Sequence, residues 1–279
     1  MTPVPFSLLL PVYAGDRAEF FSRAFTSAVT DQTLRPDQVV IIQDGPVAEG
    51  LAAAVARAVE GSPVPVDHVV LEHNVGLAQA LTRGLEHCAH DVVARMDADD
   101  VALPQRFARQ LPLIAEGYDL VGSGMYEFDG VGRINFTRTP PSGSDEIAAA
   151  ARFKDPFNHP TVVYRKSIVE AAGGYRDLPL MEDYWLFARI IATGARVENV
   201  PEALVMYRVD AGAYSRRGGS RLFRSELRLQ RELRREGFVT RREYLRNVLV
   251  RGGYRFVPVA VRRLAYRGFS NGGRRPAAQ

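Results

Sequence analysis

Three carboxylates fall within four residues at Asp97, Asp99 and Asp100, shortly after the apolar stretch Val92-Val93-Ala94. That stretch has the β-branched, uncharged character of a buried strand. Like charges crowded at a strand end resist burial and call for a counter-charge. A hard divalent cation, Mg²⁺ or Mn²⁺, supplies one, because it takes oxygen ligands and often completes its shell with substrate phosphates. On an extended chain Asp97 and Asp99 share a face, since side chains alternate. Where the chain bends into a loop, Asp100 can substitute. A solvated acidic loop capping the next helix is the plainer reading of the same residues. A second acidic pair, Glu182-Asp183, precedes an apolar helical run that contains the single tryptophan, Trp185. A carboxylate there can act as a general base or as an ordinary helix cap.

The elements that must carry these groups are visible as periodicity. Residues 6–13, 38–43, 66–71 and 91–94 read as apolar strands. Between them, helical stripes cover 16–29, 48–60 and 76–85, the first with Phe20, Phe21, Ala24, Phe25, Ala28 and Val29 on one face. Asp16 and Glu19 have the spacing of a capping box. Strand and helix thus alternate four times, which predicts an α/β fold with a parallel sheet covered by helices. The strands end at Tyr13, Asp44, His73-Asn74 and Asp97, and in a parallel sheet those ends line one edge, where open α/β sheets place ligands. There is no Gly-x-Gly-x-x-Gly loop and no Walker-type lysine loop, which argues against a dinucleotide cofactor and against ATP hydrolysis. The second half is expected to hold a helix over 104–116, a strand over 119–125 and an edge hairpin over 127–138 turning at Asp129-Gly130. Asn158-His159-Pro160 then leads into a strand over 161–164, and a short helix stops at Gly173-Gly174-Tyr175. Two strands, 195–200 and 203–207, complete the body.

The chain of 279 residues is long enough for a substantial core, and 46% apolar residues is ordinary globular composition. Cys88 is the only cysteine and sits in an apolar helical pattern, so a core role and a reducing cytoplasm fit. No run of about 18 apolar residues and no basic leader is present, so neither a spanning helix nor a secretory signal is expected. Charge is strongly asymmetric. Residues 216–279 hold eighteen Arg and no Lys against four Glu, a surplus of +14; with +4 overall, residues 1–215 carry −10. A domain of 1–215, with an Arg-rich helical extension over 216–279, is therefore expected. Helical patterns at 221–235 and 241–249 mix leucines with arginines, and aromatics follow further on. This suits an interfacial segment on an anionic membrane, each cation contributing roughly 1 kcal/mol near the surface. A basic helix pair packed on the acidic body is the alternative. No nucleic-acid-binding motif accompanies the charge.

With its motifs in order, the chain resembles a family 2 glycosyltransferase of the GT-A fold over about residues 6–210. The resemblance rests on Leu10-Pro11-Val12-Tyr13, Asp44-Gly45, Asn74-Val75-Gly76-Leu77, Asp97-Ala98-Asp99-Asp100 and Glu182-Asp183-Tyr184-Trp185. Asn158-His159-Pro160-Thr161 through Gly173-Gly174-Tyr175 is similar to bacterial members that build exopolysaccharide or lipopolysaccharide, the amylovoran type being nearest. The resemblance implies a UDP-sugar donor held by Pro11, Val12, Tyr13, Asp44, Asn74, Gly76, Asp97 and Ala98, with Asp44 accepting the uracil imide hydrogen and Asp97 against the ribose. It implies Mg²⁺ or Mn²⁺ on Asp99 and Asp97. Asp183 would be the general base with Glu182 beside it, which gives single displacement and inversion at the anomeric carbon. His159 is placed at the acceptor or in the structure of the fold, and Trp185 is either core or a platform for a sugar. The acceptor would be a glycan or a lipid-linked one, and the location the inner face of the plasma membrane. The family's histidine after the last strand is missing; Asp210 or water would replace it. A non-catalytic nucleotide-sugar-binding module is the competing reading.

Overall fold

The computed structural model describes residues 4–129, 132–209 and 220–253. Four strands, β1 (Phe6–Tyr13), β2 (Gln38–Asp44), β3 (Val66–Val70) and β4 (Val92–Arg95), pair in parallel in the order β3-β2-β1-β4. They alternate with α1 (Ala18–Val29), α2 (Glu49–Glu60) and α3 (Leu77–His87). The strand interior is apolar on both faces because helices cover both. Leu8, Leu10, Val39, Ile41 and Ala94 pack with Phe21, Phe25, Leu51 and Val55 of α1 and α2. Their neighbours Leu9, Val40, Ile42 and Val93 point the other way, onto Leu81 and Leu85 of α3. That split of adjacent residues is the period-two pleat.

Beyond β4 the sheet becomes mixed. A two-residue strand β5 (Val101–Ala102) precedes α4 (Arg106–Ala115), and β6 (Leu120–Phe128) pairs with β7 (Ile134–Arg138) as the expected edge hairpin, with Gly130 outside the described residues. After α5 (Ser144–Ala151) come β8 (Val163–Arg165), α6 (Lys166–Ala171), α7 (Glu182–Ala192) and β9 (Val197–Arg208). The path β3-β2-β1-β4-β8-β6-β9-β5 makes one curled sheet, with β8 antiparallel to β4 and β6 and with β6 parallel to β9. The two strands expected over 195–207 are one strand. The chain keeps pairing through an irregularity at Pro201-Glu202, where a proline reads in sequence as a strand break. A side chain at Gly124 would meet the Pro201 and Glu202 carbonyl oxygens at 2.9 and 3.0 Å, so the bulge closes directly over that glycine.

The expected capping box at α1 does not form. The helix begins at Ala18, and the Asp16 carboxylate instead accepts the Tyr13 amide at 2.9 Å, closing the β1–α1 turn. Two further helices, α8 (Ser220–Arg235) and α9 (Arg241–Asn247), carry the basic segment; α9 is opened by a capping box between Thr240 and Glu243. Leu222, Leu229 and Leu233 of α8 pack with Leu178, Met181, Tyr184, Trp185 and Ala188 in a third core cluster. This part of the basic segment is therefore packed on the body. No helix among the described residues is long and apolar enough to cross a membrane.

Candidate active site

The ends of β1, β2, β3 and β4 lie along one edge, and the sheet order reverses between β1 and β4, where a ligand crevice is expected. At β1, Tyr13 is half exposed, and a side chain on Gly15 would collide with its ring, so the ring lies over that glycine. Pro11 and Val12 beneath it are buried. Tyr13 aligns with Asp44 on β2. The buried Asp44 carboxylate accepts the amides of Val75 (2.6 Å) and Gly76 (3.0 Å), while the Asn74 side-chain amide donates to the Asp44 carbonyl at 3.3 Å. Gly45, with φ of 86°, brings this loop so close that a Cβ would sit 2.6 Å from the Asn74 nitrogen. The two loops are thus stitched into one rim by a single carboxylate.

The acidic cluster occupies the loop from β4 to β5. Asp97, Asp99 and Asp100 each offer a carboxylate oxygen, and these oxygens lie within 4.8 Å of one another. Asp97 is ion-paired with Arg95, and Ala98 is buried. Asp100 is fully buried; one oxygen accepts the Arg208 amide at 2.8 Å, and the other has no hydrogen-bond partner. Burial, then the Asp97 charge, raises the Asp99 carboxyl to about 6, and Asp100 is pushed well above its usual range by burial and the Asp99 charge. Carboxylates that repel one another, with a buried oxygen left unpartnered, are a donor set suited to a hard divalent cation. Asp210, considered as a further ligand, lies outside the described residues.

Three charged residues of this centre were not assigned to it from the sequence. Asp16 lies close enough to feel Asp99 and Asp97, and burial foremost raises it to about 7. Arg95, only 2% exposed, is a buried cation under the crevice, with Nε and Nη1 unpartnered. Arg106, equally buried, donates to the Arg95 carbonyl at 2.6 Å and braces the strand end. An arginine at a strand terminus reads in sequence as a solvated end, and only the returning second half of the chain buries it.

Glu182 and Asp183 form the first turn of α7. They are set by Leu180, whose φ of 69° is the only positive value among the described non-glycine residues. A left-handed leucine costs roughly 1–2 kcal/mol, strain of the kind that persists where a turn must aim functional groups. Asp183 Oδ1 accepts the Tyr184 amide at 2.7 Å, and Oδ2 lies 3.6 Å from His159 Nδ1. The helix terminus and burial oppose each other here, and burial wins. Asp183 is raised, and Glu182 is raised to about 7 by burial and the Asp183 charge. Asp183 also feels the positive charge of Arg95 and the negative charge of Asp97. The Asp97-Asp99-Asp100 cluster and the Glu182-Asp183 pair therefore both lie within reach of the charge of one buried arginine. Asp155, half-buried near Asp183 and raised well above its usual range by desolvation and that charge, is a further carboxyl missed in the sequence.

Two residues that the sequence left with alternative readings are placed by the fold. His159 is 8% exposed and lies against Asp183, with Nε2 3.2 Å from the Tyr175 hydroxyl. Trp185 is not a sugar platform. Its ring is 6% exposed, its indole N–H donates to Glu236, just past α8, at 3.0 Å, and the guanidinium groups of Arg176 and Arg189 lie over the ring. On a helix, two residues on from Asp183 is the opposite face, and that face belongs to the core under α8.

This sheet order, with an acidic loop at the switch point and a second acidic pair across it, defines a GT-A type glycosyltransferase fold. The structure is similar to the mannosyltransferase PcManGT of Pyrobaculum calidifontis in complex with GDP-Man and Mn²⁺, with TM-score 0.67 and 17% identity over 99% of this chain and 79% of that one. It is also similar to S. aureus TarS 1-349 in complex with UDP-GlcNAc, with TM-score 0.64 and 16% identity over 82% and 66%. Residues 7–172 match the family described as Glycosyl transferase family 2. The amylovoran biosynthesis glycosyltransferase AmsE of Erwinia amylovora is 38% identical over 94% of this chain and 97% of its own. An Escherichia coli UDP-Gal:alpha-D-GlcNAc-diphosphoundecaprenol beta-1,3-galactosyltransferase is 31% identical over 94% and 95%. The chain belongs to glycosyltransferase family 2 and is a glycosyltransferase.

Proposed function

We propose that the protein is an inverting, metal-dependent glycosyltransferase that moves a sugar from a UDP-sugar to a hydroxyl of a glycan or lipid-linked acceptor in cell-surface polysaccharide assembly. The observation that carries this is the pairing of an Asp97-Asp99-Asp100 oxygen cluster with the raised Glu182-Asp183 pair across buried Arg95. The names of the relatives support the substrate class: one takes UDP-Gal to a diphosphoundecaprenol acceptor, another serves amylovoran biosynthesis.

In this reading the nucleotide lies at the rim formed by Pro11, Val12, Tyr13, Asp44, Asn74 and Gly76. Tyr13 borders the base. Asp44, with both oxygens already holding the Val75 and Gly76 amides, keeps lone pairs for one imide hydrogen. Asp97 and Ala98 would face the ribose, and Asp99 with Asp97 would hold Mg²⁺ or Mn²⁺, which when bound would supply charge neutralisation for a departing diphosphate, worth several kcal/mol of barrier. Asp183 Oδ2 takes the proton of the acceptor hydroxyl as its oxygen bonds to the anomeric carbon and the bond to the diphosphate breaks. A base of this kind contributes about 10²–10⁴-fold. With Asp183 on the side opposite the leaving group, one displacement inverts the centre. Burial of Glu182 beside it keeps a second carboxyl available to the acceptor.

The full-length chain tests this in a screen of sugar nucleotides by nucleoside-diphosphate release, with and without Mn²⁺. A metal-dependent UDP-sugar signal is expected. Asp183→Asn is expected to lower turnover by at least about 10²-fold while UDP binding with Mn²⁺ stays unchanged, and Asp99→Ala to weaken that binding. Full turnover in Asp183→Asn, or metal-independent UDP binding, would remove the respective role.

A further inference from the structure

The sequence stretch from Asn158 to Tyr175 holds two motifs that the reaction as described does not use, Asn158-His159-Pro160-Thr161 and Gly173-Gly174-Tyr175. In the fold they meet. His159 Nε2 lies 3.2 Å from the Tyr175 hydroxyl, and that hydroxyl lies 3.4 Å from the hydroxyl of Tyr164 on β8. His159 Nδ1 faces Asp183 Oδ2 at 3.6 Å. We infer that His159, held by Tyr175 and Tyr164, is a positioning residue that fixes the orientation of the Asp183 carboxylate and supports its ionised form. This rests on Asp183 being the base.

The scaffold around the histidine is rigid. The Asn158 side-chain amide donates to the Ser123 carbonyl at 2.9 Å, and the Ser123 amide donates to Thr161 Oγ1 at 2.9 Å, so the turn carrying His159 is pinned to β6. Gly173 and Gly174, with φ of 81° and 67°, turn the chain sharply after α6, and Tyr175 follows directly. Phe187 packs edge-on to the imidazole, with ring centroids 5.8 Å apart. A loosely placed histidine would need none of this.

Hydrogen-bond logic fixes the tautomer. An ionised carboxylate only accepts, so Nδ1 must carry the proton that faces Asp183. A neutral ring then leaves Nε2 as an acceptor, which the Tyr175 O–H fills. The oxygen of Tyr175 accepts in turn from Tyr164. The ring stays neutral because burial, reinforced by the charge of Arg95, holds its pKa well below the usual value. A neutral N–H is what the task requires, since an imidazolium would hold the carboxylate as an ion pair and blunt it as a base. The 3.6 Å separation is longer than a formed hydrogen bond; such contacts tighten when substrate closes the site. Other groups that act on Asp183 are Arg95, which lowers its pKa, and Asp97, which raises it; Glu182 and Asp155 are the remaining carboxyls coupled to it.

The test uses the full-length chain and two histidine variants. Asparagine puts an amide N–H near the position of Nδ1, whereas leucine fills the space without a donor. His159→Leu is expected to lower kcat by about 10²-fold, the cost of a misplaced catalytic group. KM for the UDP-sugar and UDP binding with Mn²⁺ should stay within about twofold. Loss of a donor to a carboxylate raises its pKa, so the acidic limb of kcat should move up by roughly half to one pH unit. His159→Asn should recover most of kcat and return the limb, and Tyr175→Phe should lower kcat several-fold in a chain of normal thermal stability. Wild-type kcat and limb in His159→Leu would overturn the inference, as would asparagine no better than leucine, or a parallel loss of UDP binding. In the Asp183→Asn background His159→Leu should cost nothing further. An active Asp183→Asn enzyme would mark failure of the base assignment itself, separately from failure of the histidine.

Discussion

Glu182 lies in the first turn of α7, where a helix terminus favours negative charge, yet its carboxyl is raised to about 7. Burial and the adjacent Asp183 outweigh the dipole. The consequence for stability has a definite sign. An unfolded glutamate titrates near its model value of 4.5, and the folded one near 7, so between these the folded state binds more protons. Stability contributed by this group is lost as pH rises through that window and is missing above it. Glu182→Gln removes the penalty. It should stabilise the protein at pH 8 by on the order of 1–3 kcal/mol while leaving it nearly unchanged at pH 4.5, as urea denaturation at the two pH values would measure. An equal effect at both would mean that Glu182 is not held protonated by its surroundings. Arg95 works the other way at the same place: its buried charge lowers Asp99, Glu182 and Asp183 together, which is why the crevice tolerates two acidic groups of residues.

At the scale of elements, the pairing of β6 with β9 carries the second half of the chain to the acidic loop. β9 ends at Arg208, whose amide holds Asp100 and whose Nε donates to the Asp99 carbonyl at 2.8 Å, with its guanidinium 3.8 Å from the Phe20 ring centroid. The bulge at Pro201-Glu202 sets the register of that delivery, and Gly124 leaves it room. Gly124→Ala should therefore cost about 1–3 kcal/mol, because the contacts are backbone atoms that cannot rotate away, and it should weaken Mn²⁺-dependent UDP binding through the displaced Arg208. A thermal melt and a UDP titration read both. This register was not legible in the sequence, where Pro201 splits the segment in two. The first four strands were legible because hydrophobic periodicity is local, and so were Asp97, Asp99 and Asp183, which betray themselves by clustering. Asp16 was misread because its spacing from Glu19 fits a cap, while the fold spends its carboxylate on the Tyr13 amide. Arg95 and Asp155 gain their meaning from residues further along the chain, and Trp185 gains its partner, Glu236, from just past α8, 51 residues later.

At the scale of the whole molecule, part of the basic segment is structural, and the rest is expected to meet a membrane. Residues 220–253 complete the core: Leu229 and Leu233 are fully buried against the far face of α7, and Arg251 reaches Glu226 through two contacts of 2.7 and 3.0 Å. The near face of the same helix carries Glu182 and Asp183, so α8 supports that acidic pair from behind. Around α9, Leu245, Leu249 and Val250 are exposed in one short stretch beside Arg242 and Arg246, and residues 254–279 add six Arg and no acidic residue. Apolar side chains flanked by arginine fit the surface of an anionic leaflet, at roughly 1 kcal/mol for each nearby cation. Two truncations separate the tasks. A chain ending at residue 253 should fold and bind UDP with Mn²⁺ as the full chain does, but lose salt-sensitive flotation with vesicles containing anionic lipid. A chain ending at residue 219 exposes Tyr184 and Trp185 to water and should be destabilised by several kcal/mol, since even one buried leucine is worth about 2–5 kcal/mol. If the 253-residue chain floats as well as the intact one, the membrane contact does not lie beyond Gly253. Leu245→Glu with Leu249→Glu would then ask whether the exposed stretch at and just past α9 supplies it.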